Sequence, residues 1–489
     1  MSNYTLSVGM EVHAELLTES KMFCRCPVAF GGEPNTRVCP VCLGLPGALP
    51  VPNRHAVELV MRTALALNCK IARHSIFHRK NYFYPDLSKA YQISQYEETN
   101  PIGYHGWVDI PSVTGSGTKR IGIRRVHLEE DTGKLMHLPG GGSGVDYNRC
   151  GVPLMEIVTD FPPDIHHPDE AREYLVQLRQ ILLYLDVCDG KMEEGSMRCE
   201  PNISVAREGA DKLGTKTELK NLNRFRSVQL GIDFERNRQI ALLESGDTVL
   251  QETRGWNEST ESSFGMRVKE EANDYRYFPD PDLVPMEFTD AEIEAVRAAL
   301  PELPFPKSTR YQEQFGLSAY DAGVLTADRD WAKFFEDAVN LGGTPKEIAN
   351  LITGELAKAL NERGETLGIP EPNRAKSRVT SAHISALATL RDNGEISSKI
   401  VKDIFEVMVE SGEMPADIME RKGLRMVNDD SAIRAMVDQV IAENPAMVEK
   451  VRAGQTNVTG FLVGQVMKLS KGQANPQLVQ SLMRAALDE

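Results

Sequence analysis

The sequence predicts an α+β protein: a mixed α/β domain carrying a zinc knuckle, followed by two helical domains. Three observations lead there. Short alternating segments broken by Gly/Pro/Asn loops fill the chain to about residue 290; two close cysteine pairs stand near its start; and beyond about residue 289 the apolar residues recur at helical spacing. A chain of 489 residues is too long for one ordinary core, and the boundaries read as 1–290, 291–370 and 371–489.

In the first region, Leu6–Leu16 alternates as a strand, so Glu11, His13 and Glu15 share one face while Val12, Ala14 and Leu16 share the other. Two carboxylates flanking an imidazole suit a hard divalent cation or acid/base work; a solvated outer face is the alternative. Cys24 and Cys26, then Cys39 and Cys42, follow as two close pairs across a Gly/Pro/Asn loop. Four thiolates at about 2.3 Å are what a structural Zn²⁺ takes. Free thiols in a reducing compartment, or a redox pair at Cys39/Cys42, are the competing readings.

Further strands are predicted at Lys119–Glu130, Leu154–Val158, Cys199–Ala206 and Thr217–Asn221, with helices at His55–Asn68 and Pro168–Asp186. The second helix opens on proline, carries Asp169, Glu170 and Glu173 early, and spaces Leu175, Leu178, Leu182 and Leu185 along one side. Asn273–Pro285 is too proline-rich for a helix or a strand interior and is expected to close the domain. Thr289-x-x-Glu292 is a capping box, and Thr344-Pro345-Lys346-Glu347 combines a cap, an N1 proline and an N3 glutamate. Gly364–Arg374 reads as a linker, and helices are expected near Ser381–Asp392, Ser397–Ser411, Asp430–Glu443 and Pro476–Leu487.

Composition narrows the function classes. The net charge of −15 excludes a globally basic nucleic-acid surface, although residues 371–489 carry 15 Lys/Arg against 16 Asp/Glu, so the last domain repels a polyanion least. No run of eighteen apolar residues and no secretory pattern is present, which points to the cytoplasm and away from membranes. Cys69, Cys150, Cys188 and Cys199 are scattered, as in a reducing compartment.

Along Arg124–Lys134, alternation places Arg125, His127, Glu129 and Asp131 on one face: a site for Mg²⁺ and phosphate, or an exposed charged ladder. Glu156 lies inside the apolar run Leu154–Val158, where an unpaired carboxylate costs several kcal/mol, so a metal or a base is its expected partner. Lys80 and Tyr82, Asn148 and Arg149 after the Gly-rich Gly140–Gly144, Ser196 and Arg198, and Lys220 are candidate nucleotide contacts, or else plain loop and strand-end turn residues. Gly209–Lys216 fails the P-loop ending, so ATP chemistry would need another cradle.

Several long motifs occur in order: Gly9–Leu16 (GMEVHAEL), Arg79–Asp86 (RKNYFYPD), Lys89–Gln95 (KAYQISQ), Lys191–Ser196 (KMEEGS), Glu218–Asn223 (ELKNLN) and Asp274–Pro279 (DYRYFP). With Gly460–Gln465 and Lys471–Pro476 they resemble the B-subunit family of aspartyl/glutamyl-tRNA amidotransferases over essentially the whole chain. The resemblance implies a cradle, a helical domain and a tRNA-gripping tail. It implies a heterotrimer completed by an amidase (glutaminase) subunit and by a small third subunit. It also implies use of ATP and Mg²⁺ to phosphorylate the side-chain carboxylate of glutamate or aspartate misacylated on tRNA, followed by displacement of phosphate by ammonia. His13, Glu129 and Glu156 map to the Mg²⁺ ligands, with Glu11 and Glu130 nearby; Glu11, His13, Glu129 and Glu156 are the expected catalytic set. Cys150 and Cys199 stand where polar residues are expected and receive no catalytic role. A zinc-knuckle RNA-binding scaffold with an incidental acidic face is the reading of another class.

Overall fold

The computed structural model describes residues 3–488 except 97, 99, 116, 139, 269–274, 369–373, 453–458 and 471. Asn273 and Asp274, residues 369–373 of the expected linker, and Lys471 therefore lie outside the described residues. Two units are present, Met1–Phe305 and Pro306–Glu489.

The first unit is built on a nine-stranded sheet: β1 (Tyr4–Glu15), β2 (Lys70–Ile71), β3 (Gly103–Pro111), β4 (Thr118–Glu130), β5 (Pro153–Thr159), β6 (Met197–Arg207), β7 (Thr217–Lys220), β8 (Glu252–Asn257) and β9 (Ser262–Val268). Their order across the sheet is β9-β8-β7-β6-β1-β5-β4-β3-β2, so the N-terminal strand is its centre. All neighbours are antiparallel except β7 and β8. Alternation then sorts the residues by face. Met10, Val12 and Ala14 of β1, Val126 and Leu128 of β4, Met155 and Ile157 of β5 and Cys199 and Ile203 of β6 are fully or almost fully buried. Against that apolar face pack α1 (Arg54–Ala66), α2 (Pro168–Tyr184) and α3 (Phe225–Ser245).

Expected α2 is present with a full capping box: the His167 side chain accepts from the Asp169 N–H at 3.2 Å, and Glu170 accepts from the His167 N–H at 3.2 Å. Leu175, Leu178 and Leu182 are buried, each stabilising the unit by roughly 1.5–3 kcal/mol. Helix α3 was not predicted, because the side it buries mixes Val228 and Ile232 with Ser227, Gly231, Glu235 and Gln239. Strands β2, β3, β8 and β9 were also missed; all lie toward the two ends of the sheet. The proline-rich segment does contain a short strand, Phe278–Pro279, paired with His78–Arg79. There Pro279 sits on an outer strand of a three-stranded sheet, where a missing N–H is tolerated.

The first unit extends past residue 290, since helix Asp290–Ala298 packs on α1 and buries Ile293 in the same core. Its Thr289/Glu292 capping box forms as expected. In the second unit, one hydrophobic cluster spans Tyr311 to Met419, across the expected boundary at 370, and another spans Ile433 to Leu487. Among the described residues the Thr344 side chain makes no cap hydrogen bond; its N–H and hydroxyl donate instead to Asp392 at 2.7 and 3.1 Å. The expected helices Ser381–Asp392 and Asp430–Glu443 occur as such, joined by Ser398–Ser411 and Pro476–Asp488. Among the described residues no helix is long and apolar enough to cross a membrane.

Glu235, with no exposed surface, clamps α3 to β8: it accepts from Arg238 Nε at 3.0 Å and lies 3.1 Å from Arg254 Nε. Glu235→Ala would leave Arg238 and Arg254 to share Glu252, 3.4 and 2.9 Å away, and is expected to destabilise this unit by about 3–5 kcal/mol in urea denaturation. A loss under about 1 kcal/mol would mean that the clamp is not structural.

Candidate functional site

The sheet's second face is polar, and register arranges it in rows across the strands. Arg125 (β4), Val158 (β5), Glu11 (β1) and Glu200 (β6) form one row; His127, Glu156, His13 and Arg198 form the next; Glu129, Leu154 and Glu15 form the third. Directly opposed residues approach within about 5 Å. Consequently one ligand atom each from His13, Glu129 and Glu156 lies within 4.8 Å of the others.

The charges there are compensated one by one. His127 Nε2 is 2.9 Å from Glu156 and 3.9 Å from Glu129, Arg125 is 3.9 Å from Glu156, and the Ser94 hydroxyl donates to Glu129 at 3.0 Å. Burial opposes ionisation of Glu156, but the charge and hydrogen bond of His127, with His13 and Arg125, hold it well below the usual carboxylate range. Glu129 is likewise held down against burial by His127 and Lys80. Burial pulls Lys80 toward neutrality; Glu129, Tyr277 and Glu156 outweigh it, and the ammonium stays charged. That ammonium sits 4.9 Å from the Tyr275 ring centre and 5.9 Å from that of Tyr82. The buried Nδ1 of His127 has no hydrogen-bond partner among the described residues.

Glu11 accepts from Asn202 at 2.9 Å, and burial with repulsion from Glu156 and Glu200 raises its pKa. Glu130 faces elsewhere: Lys89 is 2.8 Å away and the Ile93 N–H donates to it at 2.9 Å.

Of the expected nucleotide contacts, Lys80, Tyr82 and Arg198 come alongside the cluster, Arg198 bonded to Asp131. The others are engaged elsewhere. Asn148 accepts from the Arg37 N–H at 2.8 Å and donates to the Glu33 carbonyl at 2.7 Å, holding the cysteine loop. Arg149 donates to the carbonyls of Thr132 and Gly133, Ser196 bonds Asp189, and Lys220 pairs with Glu200 and Glu218 at 2.7 and 3.3 Å. Ser94, His127 and Asp131 gained no individual role from sequence, although His127 and Asp131 were legible as neighbours on the Glu129 face.

The four cysteines also converge, with sulfurs all within 4.8 Å of one another. The Cys39 N–H donates to Cys42 Sγ at 3.1 Å. A hydrogen bond from Cys24 lowers the Cys42 thiol to about 4, against burial, while the reciprocal bond and burial push Cys24 up. Four converging cysteine sulfurs are the donor set of a closed tetrahedral zinc site. Gly44, at φ +66°, lets the knuckle lie flat on Lys89, whose Cγ a Cβ would approach to 2.5 Å.

Glu15 titrates unusually: burial and the adjacent Asp131 raise it to about 7, partly offset by Arg198 and Arg149. A carboxyl raised on folding stabilises below its unfolded value, and that contribution is lost as pH rises through the folded one. Stability is therefore expected to fall between about pH 4.5 and 7 through this group, and Glu15→Gln to gain on the wild type by up to about 3 kcal/mol at pH 8 relative to pH 4. Parallel denaturation curves at the two pH values check this; an unchanged difference would contradict it.

A family model described as "GatB/GatE catalytic domain" matches residues 6–294, and one described as "GatB domain" matches residues 333–487. The chain is 50% identical over 489 residues, the full length of both, to the B subunit of the aspartyl/glutamyl-tRNA(Asn/Gln) amidotransferase of Brevibacillus brevis. It is 51% identical over 487 residues, 99% of this chain and all of the relative, to the B subunit of the same name from Caldanaerobacter subterraneus subsp. tengcongensis. A further relative of that name, from Thermodesulfovibrio yellowstonii, is 49% identical over 487 residues, 99% of this chain and all of the relative. With its catalytic-domain match and these full-length likenesses, the chain belongs to the B-subunit family of aspartyl/glutamyl-tRNA(Asn/Gln) amidotransferases.

Proposed function

We propose that this chain uses ATP and Mg²⁺ to phosphorylate the side-chain carboxylate of glutamate or aspartate on misacylated tRNA(Gln) or tRNA(Asn), and then completes the amide with ammonia from a partner. The partners are an amidase (glutaminase) subunit, which releases the ammonia, and a small third subunit, in a cytoplasmic heterotrimer. The observation that carries the reading is the convergence of His13, Glu129 and Glu156 on one polar sheet face, with Lys80 and Arg125 beside the carboxylates.

A carboxylate resists attack by ammonia until its oxygen becomes a good leaving group. Transfer of the terminal phosphoryl group of ATP to that oxygen gives an acyl phosphate; ammonia adds at the carbonyl carbon, phosphate departs, and the amide remains. The substrate carboxylate is itself the nucleophile of the first step, so no protein nucleophile is required. His13, Glu129 and Glu156 would hold Mg²⁺, which neutralises charge on the transferring phosphoryl group. The chain's own contribution is position and charge: His127 keeps Glu156 ionised, and Lys80 presents a fixed cation beside Glu129.

Cys24, Cys26, Cys39 and Cys42 would hold a structural Zn²⁺. The tRNA grip falls to residues 371–489, whose near-neutral charge opposes RNA least.

In the reconstituted heterotrimer, Glu156→Ala is expected to lower ATP-dependent amide formation by about a hundredfold or more while tRNA affinity changes little. Retained amidation would favour a binding scaffold. Metal analysis of the purified chain is expected to find about one zinc, lost on replacing Cys39 and Cys42 by serine. A metal-free chain with four titratable thiols would contradict the knuckle.

A further inference from the structure

Lys21, Met22 and Phe23 are three consecutive buried residues just ahead of the first cysteine, and the lysine is 1% exposed. A lysine ordinarily buries its stem and keeps its ammonium in water, so one this deep needs a reason. Its backbone is held from several sides. The Lys21 N–H donates to the Cys26 carbonyl at 3.0 Å, and the Met22 N–H to the Gly151 carbonyl at 2.7 Å. Asn53, the N-cap of α1, donates through its side chain to the Ser20 carbonyl at 3.0 Å and to the Lys21 carbonyl at 3.5 Å.

The side chain enters a cavity of about 250 Å³ lined also by Cys24, Cys42, Lys89, Glu130 and Gly151. One point fixes the neighbours: a Cβ on Gly151 would lie 3.6 Å from Cys42 Cβ, 3.7 Å from Lys21 Cδ and 3.9 Å from Glu130 Oε2. The stem of Lys21 therefore runs beside Cys42, the one cysteine of the four that is buried.

The ammonium has little to balance it. Its one polar contact among the described residues is the Tyr147 carbonyl, at 3.3 Å. The carboxylates of the cavity are taken: Glu130 holds Lys89 at 2.8 Å and accepts from the Ile93 N–H at 2.9 Å, and Asp282 holds Arg79 at 2.8 Å. A buried ammonium without a counter-charge is among the costliest groups a core can hold. Four thiolates outnumber the charges of one Zn²⁺ by two, so the closed knuckle is an anion. The other cations of the cysteine loop do not serve it from within. Arg25 is exposed, and Arg37 spends its guanidinium on the carbonyls of Ala29 and Gly31.

Resting on the zinc knuckle proposed above, we propose that Lys21 is the buried counter-ion of the zinc-thiolate centre, a positioning residue that binds no metal and sets how tightly the four cysteines keep theirs. A fixed cation beside gathered thiolates offsets their mutual repulsion, and groups just outside a metal's ligands tune its affinity in this way. The same charge balance explains the lysine's depth: the knuckle supplies the anion that no carboxylate of the cavity supplies.

The test is zinc transfer from the zinc-loaded full chain to a chelating dye, with three variants that separate charge from shape. Lys21→Met, which keeps the length and loses the charge, is expected to bind zinc about 10–100-fold more weakly than the wild type. Lys21→Gln, which keeps a donor for the Tyr147 carbonyl, is expected to be weakened comparably, and it carries the test alone if the methionine variant does not fold. Lys21→Arg is expected to retain most of the affinity. Neutral variants that hold zinc as tightly as the wild type overturn the role of Lys21 alone. So does a Lys21→Gln chain that matches Lys21→Arg, since the carbonyl contact would then be what matters. A wild-type chain that takes up no zinc overturns the knuckle itself.

Discussion

Two buried carboxylates, Glu129 and Glu156, sit one strand apart in the middle of a sheet, and their mutual repulsion is the constraint the rest of the first unit answers. Ions removed from water cost several kcal/mol each unless other charges stand close. His127 answers for Glu156, Lys80 and Ser94 for Glu129, and Arg125 flanks the pair. The arrangement needs a register in which His127, Glu156 and His13 are directly opposed; a slip by one residue would turn each of them into the apolar core. The three helices on the far face fix that register, because Val12, Ile157 and Val126 have nowhere else to go.

The same logic reaches outward. The strand pair His78–Asn81 and Tyr91–Ser94 brings Lys80 and Ser94 to the cluster, and the segment from Tyr275 onward covers Lys80 with aromatic rings. Arg79 anchors that segment through Asp280 and Asp282, each at 2.8 Å. The knuckle leans on Lys89, and Lys89 holds Glu130, so the cysteine cluster braces a wall of the cradle at a distance from the chemistry.

Much of this was legible in the sequence. Period-two alternation identified β1, β4 and β5, sorted Glu11, His13 and Glu15 from Val12 and Ala14, and made Glu156 conspicuous as a carboxylate among apolar neighbours. Cysteine spacing located the second cluster. What alternation does not contain is which strands are neighbours, and so neither the row His127–Glu156–His13–Arg198 nor the Glu15–Asp131 pair was visible. Asn148, Arg149, Ser196 and Lys220 have the right chemistry for a nucleotide, but their hydrogen bonds are spent on local backbone and carboxylates. Helix α3 escaped because its buried side holds Glu235 and Gln239 in polar contacts that hydrophobic periodicity does not register.

The most direct test of the cluster as a reaction centre is a crystal structure of the heterotrimer with Mg²⁺ and a non-hydrolysable ATP analogue. The expected result is a cation bound, directly at about 2.0–2.1 Å or through its waters, by Glu129 and Glu156 beside His13, with analogue phosphate oxygens completing its shell. A cation and phosphates found away from both carboxylates, with His127 still paired to Glu156, would show that the cluster is a structural ion network and not the reaction centre.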